Sequence, residues 1–334
     1  MKIRISKRWI GEKSPVFIIA EAGINHNGNL RIAKKLVSTA KSAGADAVKF
    51  QTFKAFELTS PTSKFFHLFK KMELNAEEFT ELSDHAKSEG IIFCSTPFSF
   101  SSVDLLHKLK VPFFKIASGD LTYLELIKYA AKKLKPIIIS TGMANLKEIK
   151  AAISEIRKAQ NNKIIIMHSV SSYPTPLYDV NLNVIEKLSK IFPYPIGYSD
   201  NGSGILVPLI AVAKGAKVIE KHFTLNKKMK GPDHNFSADP RELKLLIKMI
   251  REVETILGEG HKVCQPSEIK NKIEARRSIT AITSIGKEEI ITKEKIGIKR
   301  PATGISPIFV NRVIGKIAKK TINKNDTIQW TDIK

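Results

Sequence analysis

The chain has 334 residues, 43% of them apolar and 26% charged, enough to bury one large domain or a large domain with a small companion, and too apolar for a disordered chain. Fifty-five Lys and Arg against 32 Asp and Glu give a net charge of +23, spread from Lys2 to Lys334; this raises nucleic acid, a membrane surface or a small anion as partners but does not bear on fold. Two cysteines, Cys94 and Cys264, exclude a disulfide framework, and the first apolar run, 16–20, is too short for a secretory core or a bilayer span, so a soluble, cytoplasmic protein is expected.

Eight short apolar or β-branched runs follow one another: 17–20, 47–50, 91–94, 113–116, 136–139, 164–167, 195–198 and 217–220. Between them lie stretches such as 30–43, 76–89, 102–110, 121–134 and 146–159, where apolar residues return every three or four positions. That is helical periodicity. Gly44 and Gly90 each close such a stretch just before a strand, as C-caps do. Eight alternating units within about 250 residues predict a (β/α)8 TIM barrel. The pattern assigns 1–260 to the barrel, 261–277 to a polar connector and 278–334 to a small, mostly β domain, with strand-like runs at 278–283, 305–310 and 327–330.

The active face of a barrel is built where its strands end. The residues closing the eight runs are Glu21, Lys49 and Gln51, Ser95 and Thr96, Lys115 and Ser118, Ser140 and Thr141, His168 and Ser169, Ser199 and Asp200, then Glu220 and His222. Lys49 and Lys115 have apolar neighbours within their strands, and a buried ammonium must meet an anion. They form either a cradle for a carboxylate and a phosphate, structural salt bridges with Glu21 and Glu220, or a Schiff-base lysine. Glu220 and His222 stand two apart on the last strand and share a face, which suits metal ligation or acid–base work.

Nine collinear motifs extend this reading: Ala20-Glu-Ala-Gly-Ile-Asn-His-Asn-Gly28, Val48-Lys-Phe-Gln-Thr52, Ser95-Thr-Pro-Phe98, Lys115-Ile-Ala-Ser-Gly-Asp120, Ser140-Thr-Gly-Met143, Tyr173-Pro-Thr-Pro176, Glu220-Lys-His-Phe-Thr224, Gly231-Pro-Asp-His234, and Lys299-Arg-Pro301 with Gly304-Ile305. With them the chain resembles, over nearly its whole length, the sialic acid synthase family, which includes the N-acetylneuraminate, legionaminate and pseudaminate synthases. Its C-terminal segment resembles their antifreeze-like (SAF) domain. The resemblance implies condensation of phosphoenolpyruvate with an open-chain N-acyl hexosamine to a nine-carbon 2-keto acid and phosphate, with C–O cleavage and no Schiff base. A class I aldolase acting through Lys115 or Lys49 is the alternative enzyme.

By the same resemblance, Glu21, Lys49, Lys115, Glu220 and Arg300 are catalytic. Lys49, Thr96, Lys115, Ser118, Ser140 and Ser199 would hold phosphoenolpyruvate, while Glu21, Gln51, Tyr173 and Asp233 would hold the sugar. Phe98, Asp120 and Ser171 complete the substrate-binding set, Ser171 standing where many relatives place Asn. His222 would ligate a divalent metal, Mn or Mg. Asn201 occupies the position of the family's usual second metal ligand, a His, so the site favours a harder ion, binds metal weakly, or works without one. The loop 53–73 does not match the family's sugar-contacting segment. Arg300 would reach the partner's site in a domain-swapped homodimer. No aromatic-interleaved basic cluster supports nucleic-acid binding, and no membrane partner is expected.

Overall fold

The computed structural model describes all 334 residues, which separate into two compact units, Met1–Gly258 and Glu259–Lys334. The first opens with a hairpin, β1 (Ile3–Ile5) and β2 (Arg8–Ile10), absent from the sequence expectation because three-residue strands leave too little alternation to read. Eight strands follow: β3 (Phe17–Gly23), β4 (Ala47–Thr52), β5 (Ile92–Pro97), β6 (Phe114–Ile116), β7 (Ile137–Ser140), β8 (Ile164–Ser169), β9 (Ile196–Asp200) and β10 (Val218–His222). Their helices are α1 (Leu30–Ala43), α2 (Ala55–Leu58), α3 (Phe66–Met72), α4 (Ala76–Glu89), α5 (Phe100–Lys108), α6 (Leu124–Ala131), α7 (Leu146–Lys158), α8 (Asn183–Ile191), α9 (Leu206–Ala213) and α10 (Pro240–Leu257).

All ladders between these eight strands are parallel, in the order β5-β4-β3-β10-β9-β8-β7-β6, and β5 lies alongside β6. This is the expected TIM barrel. Helix boundaries follow local chemistry. Asn29 accepts from the amides of Arg31 and Ile32 at the start of α1, and Gly44 ends it at φ 92°. Asn75 and Glu78 form a capping box on α4, which Gly90 closes at φ 70°. These φ values suit glycine.

Strand alternation sorts the side chains. Outward positions such as Ile18, Val48, Ile139, Ile166 and Ile219 pack beneath the helices, each buried aliphatic contributing about 1.5–3 kcal/mol. Inward positions form a second core, in which Phe17, Ile19, Ala47, Cys94, Phe113, Ile138, Ile165, Met167 and Val218 meet Ile3, Ile5 and Ile10 of the hairpin. The hairpin thus plugs the N-terminal end of the barrel. One layer further along, the inward positions turn polar.

In the second unit, β11 (Ser278–Ala281) pairs antiparallel with β12 (Ile296–Lys299). The expected strand at 305–310 is corrected: Pro307–Phe309 is a 3-10 turn leading into α12 (Val310–Val313). Proline lacks the ladder N–H and suits a first helical turn. Thr327 keeps an isolated bridge to Thr280, and 330–332 is a 3-10 turn instead of strand. Strand β12 was not expected. The segment read as a connector carries α11 (Ile269–Ala275), and its residues are exposed. The core is almost all aliphatic, including Ile279, Ile285, Ile291, Ile305, Val313, Ile322 and Ile328. No helix of the chain is long and apolar enough to cross a membrane.

Candidate active site

The polar layer opens into a cavity of about 450 Å³ at the C-terminal ends of the strands. Fourteen of the residues predicted for the site line it: Glu21, Lys49, Gln51, Thr96, Phe98, Lys115, Ser118, Ser140, Tyr173, Ser199, Asn201, Glu220, His222 and Asp233. They come from all eight strands or the loops after them. Ser171 and Asp120 are not on its wall. Asp120 is half-buried with an unpartnered Oδ2, and burial raises its carboxyl to about 6. Arg300 follows β12 in the second unit.

At the floor stand two ammonium and two carboxylate groups, each at most 4% exposed. Lys49 Nζ lies 2.9 Å from Glu21 Oε2 and 3.6 Å from Glu220 Oε2, and donates to Thr96 Oγ1 at 3.1 Å. Lys115 Nζ contacts Glu220 Oε1 at 3.1 Å and has no other protein acceptor. Both lysines are therefore ion-paired, Lys49 between two carboxylates and Lys115 with Glu220 alone, and Lys115 keeps donors for an incoming anion.

Burial raises the Glu21 carboxyl to about 7, Lys49 opposing the rise and Glu220 adding to it. Burial would raise Glu220 as well, but Lys115 and Lys49, with a Ser199 hydroxyl bond of 2.9 Å, hold it down at about 2. Burial lowers Lys115, while the two carboxylates outweigh burial and raise Lys49. Glu220 is held ionised while burial raises Glu21 toward neutrality, so less than two full negative charges face the two lysines. That balance favours an anion.

Hydroxyls complete the anion pocket beside Lys115. Ser118 Oγ accepts from Gly142 N at 3.0 Å, leaving its O–H free to donate, and Ser140 Oγ is buried without a partner; Ser171 Oγ, also unpartnered, stands near Gly142 but off the cavity wall. A Cβ on Gly142 would lie 2.3 Å from Ser171 Oγ and 2.8 Å from Ser118 Oγ. Glycine is what lets the two hydroxyls close in there.

On the opposite side, burial and then Lys49 lower His222 to about 3, and its Nδ1 has no hydrogen-bond partner. Asp233 Oδ2 is 3.8 Å from that nitrogen, but burial raises its carboxyl to about 6. With the imidazole neutral and the separation wide, the pair is not an ion pair. Asn201 spends its amide nitrogen on Ser169 Oγ at 3.2 Å and Val170 O at 2.8 Å, leaving only its oxygen as a donor atom. No group of three His, Cys, Asp or Glu residues gathers in a way that could hold an ion.

Some rim residues face away from the cavity. Asp200 pairs with Lys221 at 2.6 Å on the helix side of the strands, both almost fully buried. His168 Nε2 bonds Val180 O at 2.8 Å, and Thr141 donates to Met167 O. The sequence reading also missed an apolar wall: Ile24, Phe65, Leu68 and Phe69 line the cavity. The signal was present, since the apolar residues of 65–72 repeat at helical spacing, but that stretch was read as loop.

Comparison with known proteins places the chain in a family. The NeuB family profile matches residues 36–262 and the SAF domain profile residues 276–334. The chain is 48% identical over 332 residues to the uncharacterized protein MJ1065 of Methanocaldococcus jannaschii, covering 99% of this chain and 98% of that one. It is 44% identical to the N,N'-diacetyllegionaminic acid synthase of Campylobacter jejuni, covering 93% and 98%. The crystal structure of N-acetylneuraminic acid synthetase from Leptospira borgpetersenii superposes with a TM-score of 0.78 at 38% identity, covering 81% of this chain and 95% of that one.

Proposed function

Since the chain belongs to the NeuB family and carries a SAF domain, we propose that it condenses phosphoenolpyruvate with the open-chain aldehyde of an N-acyl hexosamine. The products are a nine-carbon 2-keto sugar acid of the sialic or legionaminic type and inorganic phosphate. The observation that carries this reading is the anion pocket of Lys115, Ser118 and Ser140 set beside two carboxylates of opposite protonation tendency.

In this reading Lys115 and the serine hydroxyls orient the enol phosphate and absorb its charge. The methylene carbon of phosphoenolpyruvate bonds to the aldehyde carbon, whose oxygen takes up a proton. Water adds to C2, and the C–O bond to phosphate breaks. Glu21, whose protonated and ionised forms are both populated near neutrality, is the group suited to moving these protons. Glu220, held ionised, fixes Lys115 and Lys49. Gln51, Tyr173 and Asp233 line the side where the sugar would lie, and the wall of Ile24, Phe65, Leu68 and Phe69 would receive its apolar groups.

A divalent ion fits this donor set only in part, as a weakly held ion on His222 Nδ1 and the Asn201 oxygen. When bound it would supply Lewis-acid polarisation of the aldehyde. Arg300, in the proposed swapped homodimer, grips a substrate oxygen in the partner's site. The test is phosphate release. It should require both phosphoenolpyruvate and an N-acyl hexosamine, and no release across mannosamine-type and diacetamido-type sugars would overturn the proposal. The lowered pKa of Lys115 favours a second reading, a Schiff-base aldolase, which borohydride trapping of a pyruvate adduct would establish.

A further inference from the structure

The condensation leaves most of the +23 net charge unexplained, and one concentration of it lies far from the strand ends that carry the chemistry. At the N-terminal end of the barrel a cleft of about 1240 Å³ is bounded by the β1–β2 hairpin, the C-terminal ends of α1, α4 and α5, the start of β5, and α10. Seven of its lining residues are Lys or Arg. Arg8 and Arg251 are balanced there: both contact Asp46, and Arg251 also pairs with Glu254. Lys7, Lys87, Lys108 and Lys110 line the same cleft, are exposed, and meet no carboxylate. Lys41 reaches only the carbonyl of Gly90, at 2.8 Å.

Lysines at helix C-termini have an ordinary purpose, which is to offset the negative end of the helix dipole. The magnitudes show that this purpose does not use them up. Three helix ends contribute about half a negative charge each, roughly 1.5 in all, and Asp84 adds one more. Five lysines without a carboxylate partner exceed that sum by about two and a half charges. Ser6, Thr80 and Ser83 place hydroxyls on the walls, so the cleft offers hydrogen-bond donors as well as charge.

We propose that this cleft is a second ligand site, separate from the catalytic cavity, for a small polyanion bearing adjacent phosphoryl groups. The shared chemistry is a di- or triphosphate, whether inorganic or the tail of a nucleotide. The inference does not depend on the reaction proposed above. Asp46, on its wall, accepts the amide of Ile18 at 2.9 Å and immediately precedes β4, so an occupied cleft abuts the strands that carry Glu21 and Lys49.

The experiment is calorimetric titration of the full chain with inorganic tripolyphosphate, and in parallel with cytidine triphosphate. Wild type should bind one equivalent of tripolyphosphate per chain at this site. The double variant Lys108→Glu/Lys110→Glu and the separate variant Lys87→Glu, all at exposed positions, should each weaken binding by about tenfold or more. Lys316→Glu, a charge reversal on the other unit, should leave it unchanged. Unaltered affinity in both cleft variants would overturn the proposal, as would an equal loss in Lys316→Glu, which would show net charge acting alone. Tighter binding of cytidine triphosphate than of tripolyphosphate, lost in the same variants, would identify a nucleotide as the ligand; equal affinities would identify the phosphate chain. Thermal melts of each variant separate loss of binding from loss of fold.

Discussion

Lys115 Nζ stands 3.1 Å from Glu220 Oε1, with the side chains only 3% and 4% exposed, and this contact decides which lysine is available to substrate. Glu220 also keeps Lys49 at 3.6 Å and Ser199 at 2.9 Å, so it does not become an unpaired buried charge when Lys115 is lost. Lys115→Ala is therefore expected to fold. Truncating one partner of a buried charge contact costs about 2–5 kcal/mol of binding, so its affinity for phosphoenolpyruvate should fall at least about thirtyfold by calorimetry. Unchanged affinity would mean that the anion pocket lies elsewhere.

How much of this site could be read beforehand depends on what kind of signal each part leaves. Lys49, Lys115 and Glu220 were legible because a charge inside an apolar strand has to face something. Strand period also places Glu220 with His222. It does not tell which lysine is saturated, because that depends on how far Glu21 and Glu220 reach across the barrel. Nor does it choose the inward register, so Asp200, His168 and Thr141 were grouped with a rim from which they turn away. The wall at 65–69 carries helical spacing, but over only two turns, which is little to set against a loop. In the second unit the Ile-rich runs were visible, but Pro307 and short isolated bridges, not regular strands, settle its path.

Glu21 gives stability a pH dependence with a definite sign. Its carboxyl is raised from 4.5 to about 7 by burial, so between those values the folded chain binds a proton that the unfolded chain has released. Its contribution is complete below pH 4.5 and is lost as pH rises through about 7, with a slope of up to about 1.4 kcal/mol per pH unit. Glu220, lowered to about 2, acts in the opposite direction and only in acid. Urea unfolding at pH 5 and pH 8 should show a smaller difference in Glu21→Gln than in wild type; among the groups that remain, Asp120 and Asp233, which burial also raises, act in the same direction, and His222 and His26, which burial lowers, act in the opposite one. An identical difference would contradict the assignment.

Gly142→Ala tests the hydroxyl pair directly. The added methyl would fall 2.3 Å from Ser171 Oγ and 2.8 Å from Ser118 Oγ, and one or both must turn away. Overpacking costs about 1–3 kcal/mol, which lowers Tm without abolishing folding. The KM for phosphoenolpyruvate should rise about tenfold or more while that for the sugar changes little. Equal changes in both would argue for a general distortion of the rim.

Metal dependence turns on one carboxamide. Asn201 offers an oxygen where an imidazole would bind a transition ion more firmly, so chelator should remove any required ion readily and millimolar Mg or Mn should restore activity. Asn201→His is expected to tighten Mn binding by about tenfold, read from free Mn by electron paramagnetic resonance, despite losing the bonds to Ser169 and Val170. His222→Ala should abolish that binding. Equal Mn affinity in wild type and His222→Ala would place the ion elsewhere or nowhere.

Arg300 and Lys115 can be used together to test the swapped homodimer. Arg300→Ala should lower kcat strongly and leave the melting of the barrel unchanged, since the residue is exposed in the second unit. Lys115→Ala should be inactive for the reason given above. If each site takes its lysine from one protomer and its arginine from the partner, a mixed dimer of the two variants holds one site with both residues intact. Unfolding the two proteins together and refolding them should then recover activity, approaching one quarter of the wild-type level for random pairing. If both residues serve the same chain, every mixed dimer has two damaged sites, and the mixture should stay as inactive as its components.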